Sequence, residues 1–433
     1  MKQLIAHALK FTHSQGVRQS GIMIVGNAAA TGFAAIALMI ISRSLGPEQF
    51  GVFSVGFAIV LMLSRINDVG LSFAVQKFAS RSDDRGEKNN IYSYSFQLRL
   101  IAALFLMVIG VLITPTLAAW LNFPQQHIIT IAFFLSGCTV IYEQLQAMLH
   151  SLQRFSQSVL TNAIQAIIKL LSAIAISLTA PQAILPFFIS YIIAPIIPLL
   201  FFRKLFPAWV KVDLFKTYWE EQKLLKGMAF HSGVGLLALG IIENIDVLLV
   251  QGYLDSYETG LLSGASRIAL MFSLLAYSLG SVLQPRVARY TDRRHLKSYL
   301  KKASLLAAAS LLGFTLLAPL SHWFILFTIG PEYLESAHIL TILLAASFLT
   351  IAVMPFIAVF FSANMPWYFS VSGILQVIIL VGGNILFLPE FGLEAAAWSR
   401  LVTRVFLLFF TVGLVWVFWQ RTYGIWAKTS QST

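Results

Sequence analysis

Five basic and five acidic side chains fall in or beside otherwise apolar stretches of this sequence: Arg65, Lys169, Arg267, Arg400 and Arg404, and Asp68, Glu143, Glu243, Asp246 and Glu394. A charge at the centre of a membrane-spanning helix costs about 3 kcal/mol on insertion scales, so such residues face a partner or a wet cavity. Two kinds of chemistry suit them. Guanidinium and ammonium groups bind oxyanions, arginine through a planar fork that grips phosphate bidentately. Carboxylates carry H⁺ or bind Na⁺. Spacing sorts some of them. Arg65 and Asp68 are three apart and meet on one helix face, as an ion pair or part of a site. Glu243 and Asp246 are also three apart, and two close carboxylates repel, so one is expected to hold a proton unless both bond to neighbouring helices. Arg400 and Arg404 are four apart and present a two-guanidinium face, unless they snorkel toward headgroups. Lys169 and Arg267 lie deeper and read as cavity-lining. Glu143, in Tyr142-Glu143-Gln144, either carries an ion or pairs with Lys169 across helices. Asn27, Asn162, Gln165, Asn244, Gln376 and Asn384 add polar groups that join helices or wet an interior.

The elements that must position these residues follow from composition. The 433 residues are 58% hydrophobic and 11% charged, with a mean hydropathy of +0.79. A soluble domain carries roughly 25% charged residues, so lipid is the expected main solvent. Runs of about 20 apolar residues, the length of a span, predict an all-α polytopic membrane protein of twelve helices: 20–41, 50–75, 95–118, 128–150, 156–179, 183–202, 224–250, 259–283, 303–328, 336–361, 367–388 and 393–419. The single cysteine, Cys138, allows no disulfide within the chain, and no HExxH or similar metal spacing occurs. No extramembrane stretch is long enough for a catalytic domain. Residues 1–19 carry Lys2, Lys10 and Arg18 ahead of a full-length span, which reads as a first helix rather than a cleaved signal.

The formal net charge of +12 would suit nucleic acid, but its placement points to a membrane surface instead. Alternate loops, the termini included, hold 24 lysines and arginines, Arg99 counted among them, while the opposite loops hold only Arg43. That asymmetry predicts both termini in the cytoplasm and an even number of spans. Trp120, Trp209, Trp323, Trp367 and Trp426 fall near helix ends, as interfacial belts do. A loose repeat, Leu45-Gly-Pro-Glu-Gln-Phe-Gly51 and Leu254-Asp-Ser-Tyr-Glu-Thr-Gly260, lies half a chain apart. It predicts two parallel six-helix bundles, 1–210 and 211–433.

Ser42-Arg-Ser-Leu-Gly-Pro-Glu-Gln-Phe-Gly51 with Asp68-Val-Gly-Leu71 resembles the opening of the polysaccharide-transport (Wzx-like) flippases. These belong to the multidrug/oligosaccharidyl-lipid/polysaccharide exporter superfamily. Leu152-Gln-Arg-Phe155, Asp246-Val-Leu-Leu-Val-Gln-Gly252, Glu258-Thr-Gly260, Gly330-Pro-Glu-Tyr-Leu-Glu-Ser-Ala337 and Gly392-Leu-Glu-Ala-Ala-Ala397 resemble later helix junctions, in order. Gly51-Val-Phe53 keeps the family's aromatic residue, whereas Gly260-Leu-Leu262 lacks it. The resemblance implies two six-helix bundles in a V around a central cavity, as in the superfamily's multidrug exporters. It implies movement of undecaprenyl-pyrophosphate-linked oligosaccharide from the cytoplasmic to the periplasmic leaflet of a bacterial inner membrane, for O-antigen, capsule or exopolysaccharide assembly. It also implies ion coupling without ATP hydrolysis, which agrees with the lack of a GxxxxGK[ST] phosphate loop. A polysaccharide polymerase and chain-length proteins are the implied protein partners.

Under that expectation Lys169, Arg267, Arg400, Arg404 and Arg65 contact the pyrophosphate. Glu143, Glu243, Asp246 and Asp68 carry the coupling H⁺ or Na⁺, and no cofactor or metal is called for. Two rival classes stay open. A cation-coupled multidrug or other lipid exporter of the same superfamily would need acid rather than base inside. A membrane-embedded polymerase or ligase tends to carry a sizeable external loop.

Overall fold

The computed structural model describes residues 15–68, 70–214, 216, 218–287, 293–362, 365 and 367–423. Expectations resting on Lys2, Lys10, Arg289, Trp426 and Lys428 lie outside them, as do the side chains of Arg18, Lys223, Lys226, Arg286 and Arg293. All regular elements among the described residues are helical. In chain order they are α1 (Gln15–Asp68), α2 (Leu71–Arg81), α3 (Arg85–Trp120), α4 (Gln126–Ser151), α5 (Phe155–Thr179), α6 (Ile184–Ile193) and α7 (Phe202–Leu205). There follow α8 (Trp219–Tyr253), α9 (Ser256–Val287), α10 (Arg293–Leu317), α11 (Ser321–Thr328), α12 (Ala337–Ser362), α13 (Trp367–Phe391) and α14 (Leu393–Tyr423).

Ten helical stretches are long and apolar enough to cross a membrane among the described residues. This is a multi-pass membrane protein; the expected span 224–250 lies in α8 but is not among the ten, because some of its side chains lie outside the described residues. The first two expected spans are two helical stretches that meet at a kink within α1, where Gly46 takes φ 71°, ψ 172° just before Pro47. Proline supplies no N–H and glycine accepts positive φ, so the chain bends there without a loop. The expected second span does not run to 75. It ends at Asp68, because Gly70 at φ 79° turns the chain into α2. Prolines also shorten two spans: residues 194–201, with Pro195 and Pro198, tighten to a 3₁₀ helix after α6, and a 3₁₀ turn at Ala318–Leu320 separates α10 from α11. The third span starts ten residues early, at Arg85 rather than 95. This matters for the site.

The chain forms two compact units. Unit 1 comprises 1–45, 55–120 and 124–240, and unit 2 comprises 46–54, 121–123 and 241–433. In unit 1, α3 and α4 pack along their lengths and α2 lies on α4. Tyr92, Leu145, Met148, Leu149, Leu205, Phe206 and Tyr218 are buried together there. In unit 2, α12 is the hub against α9, α10 and α14. Within Pro331–Phe360 an 18-residue apolar window is 83% buried, which accounts for its being apolar on every side. Elsewhere the large apolar side chains point outward: Leu112, Leu178, Leu200, Leu316 and Phe409 are all exposed. Water would penalise such a surface, and hydrocarbon does not. Trp120, Trp323 and Trp367 are exposed at or near helix ends.

The two repeat motifs meet inside unit 2. A Cβ on Gly51 would fall 1.8 Å from the Ser256 carbonyl oxygen, and one on Gly260 would fall 1.8 Å from the Pro47 carbonyl oxygen. Each glycine thus faces the residue four positions before the other glycine, a two-fold-like crossing that no side chain larger than hydrogen permits. Phe50 and Phe53 beside it are fully buried.

Candidate functional site

In unit 1 a guanidinium is enclosed among carboxylates. Arg99 of α3 is fully buried, with side-chain exposure of 0%. Its Nη2 donates to Asp68 Oδ1 at 2.5 Å and to Ser72 Oγ at 2.8 Å, and its Nη1 lies 3.5 Å from Glu143 Oε2 on α4. Asp68 Oδ1 also accepts the Ser72 N–H at 3.1 Å and the Ser72 hydroxyl at 2.6 Å. The Asn67 amide donates to the Arg99 carbonyl at 3.0 Å. Asp68-Val-Gly-Leu71 is thereby explained locally: the glycine makes the turn, and the aspartate holds the first turn of α2 and the arginine at once.

Three expectations change here. Asp68 pairs with Arg99 and not with Arg65, which is half-buried on the same helix. Glu143 sits beside Arg99 and not Lys169. Arg99 itself is no loop residue, since α3 begins well before it. The signal that could have found it is its position between Leu98 and Leu100, directly ahead of a long apolar run.

Lys169 has a different setting. Its ammonium lies 4.3 Å from the centre of the Tyr191 ring. It shares a cavity of about 230 Å³ with Asn27, Thr31, Asn162 and Gln165. Asn162 donates to Asn27 Oδ1 at 2.8 Å, Gln165 donates to Asn162 Oδ1 at 3.3 Å, and the Tyr142 hydroxyl donates to Asn162. Gln146 donates to Tyr142 at 2.7 Å and to Thr161 at 2.7 Å. These polar residues, spread over α1, α4 and α5, form one network. A cation held over an aromatic face beside neutral amides can take up an oxyanion and sugar hydroxyls.

In unit 2 the expected groupings separate. Asp246 is fully buried and ion-paired with Arg400, while the Glu243 side chain is exposed and its backbone carbonyl accepts from Arg400 at 3.4 Å. The two carboxylates thus differ sharply in burial. The two-guanidinium face is divided as well, because Arg404 donates to Gln376 Oε1 at 2.8 Å. Arg267 is half-buried on α9. Glu394, exposed at the start of α14, lies 3.9 Å from His338. A separate apolar groove of about 490 Å³ between α13 and α14 is lined by Leu386, Phe387, Phe391, Trp398 and Val402. Among the described residues, no group of three or more histidine, cysteine or acidic side chains is placed to hold a metal ion.

Comparison with known proteins places these features in context. The sequence profile described as polysaccharide biosynthesis protein matches residues 17–291. Among curated protein sequences, none matches. Among solved structures, a multidrug resistance MATE family transporter of the MOP superfamily, in an inward-facing conformation, superposes with TM-score 0.71 at 14% identity, over 90% of this chain and 96% of that one. The lipid II flippase MurJ, in an inward closed conformation, gives TM-score 0.69 at 16% identity, over 90% and 87%. A MOP superfamily transporter from Pyrococcus furiosus, described by the reverse polarity of its binding pocket, gives 0.60 at 14%, over 92% and 95%. At these identities the likeness is one of fold.

Proposed function

We propose that this chain, which belongs to the polysaccharide biosynthesis protein family, is a flippase for undecaprenyl-pyrophosphate-linked oligosaccharide repeat units. It acts in the inner membrane with both termini cytoplasmic, in surface-polysaccharide assembly. The observation that carries the reading is Lys169 in its amide-lined cavity, a cation at membrane depth surrounded by neutral hydrogen-bonding groups. A lipid-linked sugar has a polar head that cannot enter hydrocarbon alone. Such a cavity replaces its water with donors and acceptors, while the polyprenyl tail stays in lipid. Arg267 and Arg404 are assigned to the anionic head on the same grounds of charge and depth. Arg400 is available to it only when released from Asp246. The carboxylates provide ion coupling, and alternating access of the two repeats carries the head across. A MurJ-like fold supports a lipid-linked substrate. The multidrug reading is weaker because, among the described residues lining the cavity, the charged side chain is a cation, Lys169.

The test is translocation of a polyprenyl-pyrophosphate-linked oligosaccharide in vesicles holding the full-length protein. Lys169→Met should lower the initial rate at least tenfold while Lys169→Arg retains most of it. An unchanged rate in Lys169→Met removes the assignment.

A further inference from the structure

The cluster in unit 1 sets two carboxylates on one enclosed arginine, Arg99, which holds them unequally, with Arg65 acting on Glu143 through space. We infer that Glu143 is a proton-carrying site that excludes Na⁺, with Asp68 as the standing counter-ion of Arg99; this rests on the ion-coupled reading above.

The geometry separates the two carboxylates. Asp68 has a side-chain exposure of 4% and binds Arg99 at 2.5 Å. Its Oδ1 is saturated by three donors: the guanidinium, the Ser72 hydroxyl and the Ser72 N–H. Glu143 touches Arg99 only at 3.5 Å, and 24% of its side chain is exposed. Glu143 is therefore the open side of the cluster. The charged groups that act on Glu143 are Arg99 on α3 and Asp68 and Arg65 on α1. Arg99 also has slack: its Nε, like Asn67 Oδ1, is buried without a hydrogen-bond partner. The guanidinium can thus lean toward Glu143 when that carboxylate is ionised and settle on Asp68 when it is neutral. A proton placed on Glu143 therefore alters the grip between α3 and α4, which pack closely.

Na⁺ is disfavoured by the same atoms. It would have to collect several oxygen ligands while lying next to a fixed guanidinium charge, in a place where unlike charges attract strongly and like charges repel strongly. The carboxylate oxygen with the best position, Asp68 Oδ1, is already occupied. A proton needs one oxygen only and no further ligands.

The experiment uses the full-length protein in lipid vesicles and infrared difference spectra between alkaline and mildly acidic buffer, with K⁺ as the only metal cation. The expected result is a carboxyl C=O band in the wild type that is lost in Glu143→Gln, retained in Glu143→Asp, and unmoved when Na⁺ replaces K⁺. The same band in Glu143→Gln as in the wild type, or a band displaced by Na⁺, overturns the inference. These spectra need no substrate. A wild type that shows the band and fails to move lipid-linked oligosaccharide would sink the flippase reading and leave the proton site standing.

Discussion

Two buried arginines are handled in opposite ways. Arg400 meets a single carboxylate, Asp246, and the pair is closed: one positive charge, one negative, with 20% of the arginine side chain still exposed. Arg99 is fully enclosed and meets two carboxylates of unequal quality, Asp68 held tightly and Glu143 loosely. A one-to-one pair is balanced in charge. A two-to-one cluster divides one guanidinium between two carboxylates, so protonation redistributes its bonds. The arrangement in unit 2 is suited to fastening α8 to α14, and that in unit 1 to switching.

Four substitutions test this contrast, and the largest effect belongs to Arg99. Replacing it with methionine leaves Asp68 and Glu143 without the guanidinium that bonds both, and with only Arg65 near Glu143 as counter-charge. Breaking a buried pair in this way costs about 3–5 kcal/mol, so the folded fraction in detergent should fall sharply on heating. Asp246→Asn comes second. It strands Arg400, but that side chain still reaches solvent, so the expected loss is about 2–3 kcal/mol, the scale of one charge-assisted hydrogen bond. Equal losses for these two variants would erase the distinction. Glu143→Gln should cost under about 1 kcal/mol, since a 3.5 Å contact lies beyond good hydrogen-bond geometry and the amide can still accept from Arg99. A loss as large as that of Arg99→Met would make Glu143 a fastener. Glu390→Gln is the reference: its side chain is exposed, so thermal stability should change by no more than about 0.5 kcal/mol.

Much of the fold was legible from residues alone. Apolar runs marked nearly every span, because a helix must bury its backbone polar groups and present about 20 hydrophobic residues to lipid. The motif pair ending in Gly51 and Gly260 marked two helix starts that the structure brings into contact. The candidate site was less legible. The depth of Lys169 could be read, but its cavity is assembled from α1 and α5, and the rotation of each helix about its axis is not written in its own residues. Arg99 was hidden because the apolar run that follows it looks like the whole span, while the preceding turns, with Tyr92, Ser93, Tyr94 and Ser95, are buried against protein rather than lipid.

The sequence by itself determined the solvent of this protein, its helical class, the residues at which helices bend, and the depth at which charges lie. Hydropathy and the backbone preferences of glycine and proline are local properties. The tertiary structure alone decided which charge answers which. Asp68 chose an arginine 31 residues away on another helix over Arg65 on its own, and Asp246 chose Arg400, also on another helix. Spacing along one helix fixes only neighbours on that helix. Partners across helices depend on register and rotation, which packing of the whole unit sets.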